Sequence, residues 1–463
     1  MSKVRYRLFA LNFLACLINY GDRTALSVAA PFILAEYHFS PAVWGLILSA
    51  FFWTYSPFAL LGGFMVDRIG VRRAYTACML AWSLTIPLTA GAWNAATFIA
   101  VRMLFGMGEG PQAPISAKLT ADWFPKRQTS TMLNLAQAGT TVGPIIATPF
   151  VVWICATLGW RPAFLMLSSL GVLWCAVWWF TARDRPAEHP GVDAAEHAYI
   201  TADHTPATNR SRTAGSASHA EFWNLVRQRH VMALAIAFFA YSWVLFMFLT
   251  WYPQYLVDAR GLDKSDLAGT ATIPWVAATA GLVLGGLTAD RLIKKCASLI
   301  TPRKWMIVVS LVMVAACFGP SAAVRSPTVG LLLVCVAIFF LFASYHYQAL
   351  IIATVPPEYT GRLAGVVQMC STLAGILAPI VTGATVETTG SYTSAFVLGA
   401  ALALVGAVAV ACLVRSAPTT PGRHGPVAAE NERAWEPTAS GRGGRGSALG
   451  VPPPAGWRSG GDR

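Results

Sequence analysis

The sequence predicts an all-α polytopic membrane protein: twelve transmembrane helices as two six-helix bundles, with both termini cytoplasmic. Three observations predict it. Of 463 residues, 55% are hydrophobic and only 12% charged, against about 25% charged in an ordinary soluble chain. Apolar runs long enough to cross a bilayer, about 20 residues each, recur along the chain. Landmarks of the first half also return in the second at a nearly constant offset. With 17 Trp, 39 Gly and 28 Pro and a mean hydropathy of +0.53, the composition excludes a soluble globular enzyme, a disordered chain and a disulfide scaffold.

The first six runs lie at about 8–34, 43–66, 74–93, 96–118, 131–156 and 163–181. A polar stretch at 182–230 follows, and its end, Ala220 to Arg229, mixes apolar and basic residues as a short interfacial helix would. Six more runs lie at about 231–255, 267–290, 305–323, 328–353, 362–386 and 392–414. Residues 415–463, rich in Gly, Pro and Arg, read as a disordered cytoplasmic tail. The domains are therefore a bundle at 1–181, a cytoplasmic linker at 182–230 and a second bundle at 231–414. A cleaved signal is not expected, because Asp22 and Arg23 would interrupt its apolar region.

The halves share four landmarks. Asp67-Arg68 matches Asp290-Arg291 at an offset of 223, Pro125 matches Pro357 and Ala163-Phe164 matches Ala395-Phe396 at 232, and Pro144 matches Pro379 at 235. A duplicated six-helix unit with parallel repeats is an architecture of secondary transporters.

The net charge of +13, from 34 Lys and Arg against 21 Asp and Glu, looks at first like a nucleic-acid footprint. Position argues otherwise. Arg23 and Arg102 lie inside spans; with a cytoplasmic N-terminus, Arg161, Arg260, Lys264 and Arg325 fall outside, and the other 28 are cytoplasmic. That asymmetry sets orientation in the cell (inner) membrane. The nine cysteines show no metal-ligand spacing and read as small buried hydrophobes.

Charges inside a membrane cost about 2.5–3.5 kcal/mol each on insertion scales. Four stand out: Asp22 and Arg23 in span one, Arg102 and Glu109 in span four. Asn12, Asn19 and Arg23 recur at helical spacing, as do Arg102, Glu109 and Ser116. Two acids beside two arginines suit proton coupling; two structural ion pairs are the alternative. The four charges sum to zero when ionised, which ties each Arg to an acid. Protonating Asp22 or Glu109 would free an Arg for a substrate carboxylate. Neutral candidates for reading the substrate are Gln137, Gln368, Ser371 and His346.

The stretch Gly63-Phe64-Met65-Val66-Asp67-Arg68-Ile69-Gly70-Val71-Arg72-Arg73 resembles the loop 2–3 signature of the major facilitator superfamily, and Gly286 to Arg291 is a weaker copy. The resemblance covers residues 1–414. It implies gating by Gly63, Asp67, Arg68, Gly70, Arg72, Arg73, Asp290 and Arg291, with Gly63 allowing close helix approach and Asp67 latching the halves. A narrower resemblance is carried by Asn19-Tyr20-Gly21-Asp22-Arg23 and by Arg102-Met103-Leu104-Phe105-Gly106-Met107-Gly108-Glu109-Gly110. Both are similar to the anion:cation symporter family, which includes sugar-acid, hexuronate and aromatic-acid permeases. This implies proton carriage by Asp22 and Glu109, carboxylate binding by Arg23 and Arg102, and a cavity lined by Tyr20 and Tyr55. Asn19 joins them as a hydroxyl-binding group. Phe58 to Leu61 departs from the Gln-Pro pair that bacterial relatives often carry after the span-two tyrosine.

The expected function is proton-coupled uptake of a small organic anion by alternating access, with sugar acids ahead of aromatic carboxylates. Efflux antiport on the same fold is the first rival, and a polytopic membrane enzyme or receptor the second. No Walker A, HExxH or G-x-S-x-G sequence is present. No enzymatic activity, cofactor, metal or nucleic-acid partner is expected; the partners are the substrate, protons and lipid, and the chain is expected to act as a monomer.

Overall fold

The computed structural model describes residues 3–202, 219–296, 298, 300–354 and 357–414. The expected tail at 415–463 and part of the linker lie outside the described residues. Every apolar run coincides with helix, and the described residues hold no strand. In order, the first half holds α1 (Val4–Tyr37), α2 (Pro41–Ile69), α3 (Val71–Thr85), α4 (Ala95–Glu109), α5 (Gln112–Trp123), α6 (Lys126–Gln137), α7 (Gly139–Leu158) and α8 (Trp160–Thr181). Two short helices follow, α9 (Ala194–Thr201) and α10 (His219–Val226). The second half holds α11 (Arg229–Asp258), α12 (Leu267–Cys296), α13 (Thr301–Ala323), α14 (Pro327–Ala343), α15 (Tyr347–Thr354), α16 (Pro357–Thr389) and α17 (Thr393–Leu413).

Eight helices among the described residues are long and apolar enough to cross a membrane. The absent ones are informative. The long helix α1 carries Asn12, Asn19, Asp22 and Arg23 in its buried set. Others are short because the run is interrupted. The fourth run breaks at Gly110-Pro111 and the tenth at Ser344–His346, so corresponding spans of the two halves are both discontinuous. The third run tightens into a 3-10 turn at Ile86–Gly91. Pro87 cannot donate to the carbonyl four residues back, and Ser168 Oγ of α8 donates to that Ser83 oxygen instead, at 2.7 Å.

Packing repeats with the duplication. In the first half α1 packs on α7, α2 on α4 and α3 on α8; in the second, α11 packs on α16, α12 on α14 and α13 on α17. Between the halves, α2 meets α16, α7 meets α12 and α1 meets α11. These contacts include the Ala42 N–H donating to Glu387 Oε2 at 2.8 Å and Phe52 against Phe246 with ring centroids 4.5 Å apart. Lys264 Nζ sits 5.2 Å from the Phe32 ring centroid, and Thr279 Oγ1 donates to Thr141 Oγ1 at 2.9 Å. Apart from Thr141, in the first turn of α7, these residues lie near helix midpoints or toward the end where α1 finishes. There the halves are drawn together.

Three glycines seat α4. A Cβ on Gly106 would meet the Phe51 carbonyl oxygen and lie 2.6 Å from Thr54 Oγ1, both on α2. On Gly108 it would lie 2.7 Å from the Trp82 backbone nitrogen of α3, and on Gly110 2.6 Å from the Tyr55 carbonyl oxygen. Thr54 Oγ1 donates to the Met103 carbonyl at 2.7 Å across the same contact. Gly106→Val should therefore separate α2 from α4, an overpacking cost of about 1–3 kcal/mol. The measurable result is a severalfold lower yield of monodisperse protein on size-exclusion in detergent, with a lowered melting temperature. Of the nine cysteines read as buried hydrophobes, Cys296 and Cys412 are exposed and Cys335 and Cys370 are half-buried.

Candidate functional site

Two buried guanidinium groups organise the site. Arg23 on α1 is 6% exposed, and its Nε and Nη2 both reach Oε1 of Glu109, which is fully buried at the end of α4. The Arg23 guanidinium also lies 5.0, 4.7 and 4.6 Å from the ring centroids of Tyr20, Phe51 and Tyr55. Aromatic faces stabilise a cation that water no longer solvates. Arg102, 7% exposed, lies 5.1 Å from the Phe51 ring and 5.2 Å from Phe105.

Arg102 forms no hydrogen bond or ion pair among the described residues, and its Nε is buried without a partner. The charge of Glu109 acts on it only at longer range. The expectation that an acid ties up each arginine is therefore corrected: one pair forms and one guanidinium is left over. The planar fork of donors it presents has the geometry that matches a carboxylate.

Asp22 does not complete a second pair. Both carboxyl oxygens are buried without a hydrogen-bond partner. The donor that comes nearest to serving them is the Trp82 indole of α3, short of a formed hydrogen bond. Successive residues on a helix diverge by about 100°, so Arg23 faces α2 and α4 while Asp22 looks toward α3. Asn19 sits by Glu109, its Nδ2 buried and unpartnered, as is Glu109 Oε2. Two acids thus occupy different environments: Glu109 holds an arginine, and Asp22 holds nothing.

The remaining candidates divide. Tyr20 and Tyr55 flank Arg23, and the Tyr345 ring lies 5.8 Å from that of Tyr241 and 6.4 Å from that of Phe238, both on α11. Tyr345 was not a candidate from sequence; its only signal there is a polar patch, Ser344 to Gln348, within an apolar run. His346, beside it, turns elsewhere: Gly285, Asp290 and Arg303 act on its ring, whose Nε2 is buried without a partner. Ser371 bonds Ser242 at 2.7 Å, so that both hydroxyls are engaged within the second half. Gln368 is exposed and Gln137 half-buried, and neither side chain forms a hydrogen bond among the described residues. Asn12 does not share the Arg23 environment, because it accepts the Tyr75 hydroxyl at 2.9 Å in the packing of α1 on α3.

The loop signature differs from its expected mechanics in two respects. Gly63 allows no close approach, since a Cβ there would meet nothing; on its neighbour Gly62 a Cβ would lie 2.5 Å from Pro111 Cα. The second half repeats this, with Gly286 open and Gly285 against Ala343. Asp67 pairs with Lys118 of α5 at 3.4 Å, within its own half, so it is no latch between halves in this conformation. Arg72 donates to the Trp179 carbonyl at 3.1 and 2.7 Å. Arg68, Arg73, Asp290 and Arg291 are exposed, and the φ of Gly70 is +83°.

Comparison with known proteins follows the same lines. The family model described as Major Facilitator Superfamily matches residues 13–379 and again 302–458. The hexuronate transporter of Bacillus subtilis (strain 168) is 34% identical over 417 residues, covering 89% of this chain and 96% of that one. The D-galactonate transporter of Escherichia coli O6:H1 is 29% identical over 417 residues, covering 89% and 95%. Among solved structures, a bacterial homolog of the human lysosomal transporter Spinster, inward-facing and unoccupied, superposes with a TM-score of 0.67. It is 17% identical and covers 89% of this chain and 95% of that one, a likeness of fold. A helical architecture built twice, a family match over most of the chain and transporters as relatives lead to one conclusion: the chain belongs to the major facilitator superfamily, a family of transporters rather than enzymes.

Proposed function

We propose that the protein takes up a small organic acid of the sugar-acid class together with protons, by alternating access. The proposal includes twelve spans, bundles at 1–181 and 231–414, a linker at 182–230, a tail at 415–463 and both termini in the cytoplasm of a cell membrane. The observation that carries it is the unequal state of the two buried arginines. Arg102 has no partner and Arg23 is held by Glu109. The relatives' names, hexuronate and D-galactonate transporters, support an anion with hydroxyls.

The coupling follows from charge. With Glu109 ionised, Arg23 is neutralised inside the protein and Arg102 alone attracts a carboxylate. Protonation of Glu109 releases Arg23 and gives the substrate a second fork of donors. Anion binding is therefore tightest when Glu109 is protonated, and a proton without an anion leaves both guanidinium groups uncompensated, so the two enter together. Asp22, without a cation of its own, is the second proton carrier. Tyr20, Tyr55, Asn19 and Tyr345 serve the neutral part of the substrate, and Gln137, Gln368, Ser371 and His346 remain secondary candidates. Gly63, Asp67, Arg68, Gly70, Arg72, Arg73, Asp290 and Arg291 are assigned to gating.

The test is uptake into proteoliposomes over a panel of labelled hexuronates, aldonates and aromatic carboxylates, with and without an inward proton gradient. The expected outcome is accumulation of a hydroxylated carboxylate only with the gradient. Movement of neutral or cationic compounds alone would overturn the anion assignment and favour efflux antiport.

A further inference from the structure

Neither α1 nor α3 caps its own start. The residue before α1 is Lys3 and the one before α3 is Gly70, and neither makes a side-chain capping bond. The first N–H groups of a helix have no partner within it, and its positive end favours an anion. The segment after α8 supplies both anions. Glu196, fully buried on α9, accepts the Val4 N–H at 3.2 Å, the Arg5 N–H at 3.3 Å and Arg5 Nη1 at 3.4 Å. Asp184 Oδ1 accepts the Arg72 N–H of α3 at 2.8 Å. A Cβ on Gly70 would lie 2.5 Å from that carboxylate, so the glycine of the loop signature is what admits it. The collar is itself fastened, because Asp193 accepts the Glu196 N–H at 2.6 Å and Tyr199 accepts Gln128 Nε2 at 2.8 Å.

We propose that residues 182–201 form a capping collar in which Asp184 and Glu196 are positioning residues for transport, holding α1 and α3 as one body. These two helices carry Asp22 and Trp82, whose mutual placement defines the surroundings of the unpaired carboxyl. The collar sets that placement from the helix starts, through backbone N–H groups, without touching substrate. It follows that the sequence after α8 belongs mechanically to the first half and is more than a tether to the second.

The transport arm of the test rests on the function proposed above; an amide-exchange arm does not. In the full chain, Glu196→Ala and Asp184→Ala are expected to lower the maximal uptake rate about tenfold with KM within about twofold. Asp184→Asn, whose amide oxygen still accepts the Arg72 N–H, should recover most of that rate, whereas Glu196→Gln, with one accepting oxygen in place of two, should recover only part. Hydrogen exchange at the first turns of α1 and α3 should speed up in the alanine variants, revert at α3 in Asp184→Asn and revert only in part at α1 in Glu196→Gln. If an alanine variant does not fold, Gly70→Ala tests the same contact on α3. Unchanged exchange in folded variants overturns the collar, and so does full uptake by both alanine variants. A wild-type protein that moves no carboxylate would overturn the functional proposal instead and leave the exchange arm standing.

Discussion

Arg102→Ala is expected to abolish accumulation of the substrate while leaving a folded protein. The side chain is 7% exposed and makes no hydrogen bond or ion pair among the described residues, so removing it strands no carboxylate. Truncating one partner of a desolvated charged contact costs about 2–5 kcal/mol, or about 30-fold to several thousand-fold in affinity. The loss should appear as a raised KM or as unmeasurable binding, with monodispersity intact. Arg102→Lys separates charge from geometry. Lysine keeps the positive charge but offers a point donor instead of a fork, so partial binding with a KM raised about tenfold or more is expected. Arg161→Ala is the control, because Arg161 is half-exposed and bonds Glu36 at 2.6 Å in the last turn of α1. It should transport normally. Uptake by Arg102→Ala within about twofold of wild type would show that the substrate is not held by this guanidinium.

The helices and their duplication were legible from hydropathy, because a lipid-spanning run must be apolar along its whole length and the pattern needs no tertiary information. The interruptions were harder to see. Gly110-Pro111 sits in an apolar run where membrane helices often tolerate proline, and nothing in Ser344-Tyr345-His346 breaks a helix by propensity. Polar residues within a run mark where backbone is given up, and there His346 drew attention while Tyr345 sets its ring against Phe238 and Tyr241.

The four buried charges were also legible, since each carries its own cost wherever it sits. Their pairing was not. Helical periodicity relates residues on one helix, whereas the Arg23–Glu109 contact joins α1 to α4 across 86 residues. Three glycines that let α4 lie against α2 and α3 decide it. Asp22 and Arg23 are adjacent in sequence and part company in space because successive helix residues diverge by about 100°. The acids of the linker lie in a stretch that reads only as polar, and they become helix caps once α1, α3 and α9 are brought together.

Glu109→Gln should uncouple the protein rather than inactivate it. Glutamine has the shape of a protonated glutamate and no charge, so Arg23 loses its ion pair permanently. Binding of the anion should then persist at alkaline pH, where the wild type needs a proton to release the same arginine. Exchange of labelled for unlabelled substrate across the membrane, which requires no net proton movement, should continue at a rate within about tenfold of wild type. Accumulation driven by a proton gradient should fall steeply, because the proton that releases Arg23 no longer has a site to leave and Asp22 alone remains to carry one. Asp22→Asn provides the contrast. Its carboxyl holds no arginine, so neutralising it leaves the Arg23–Glu109 pair formed and should keep substrate affinity dependent on pH. The decisive comparison is binding against pH in the two variants: flat for Glu109→Gln and sloped for Asp22→Asn. Full gradient-driven accumulation by Glu109→Gln would remove Glu109 from the coupling and leave its contact with Arg23 a structural ion pair.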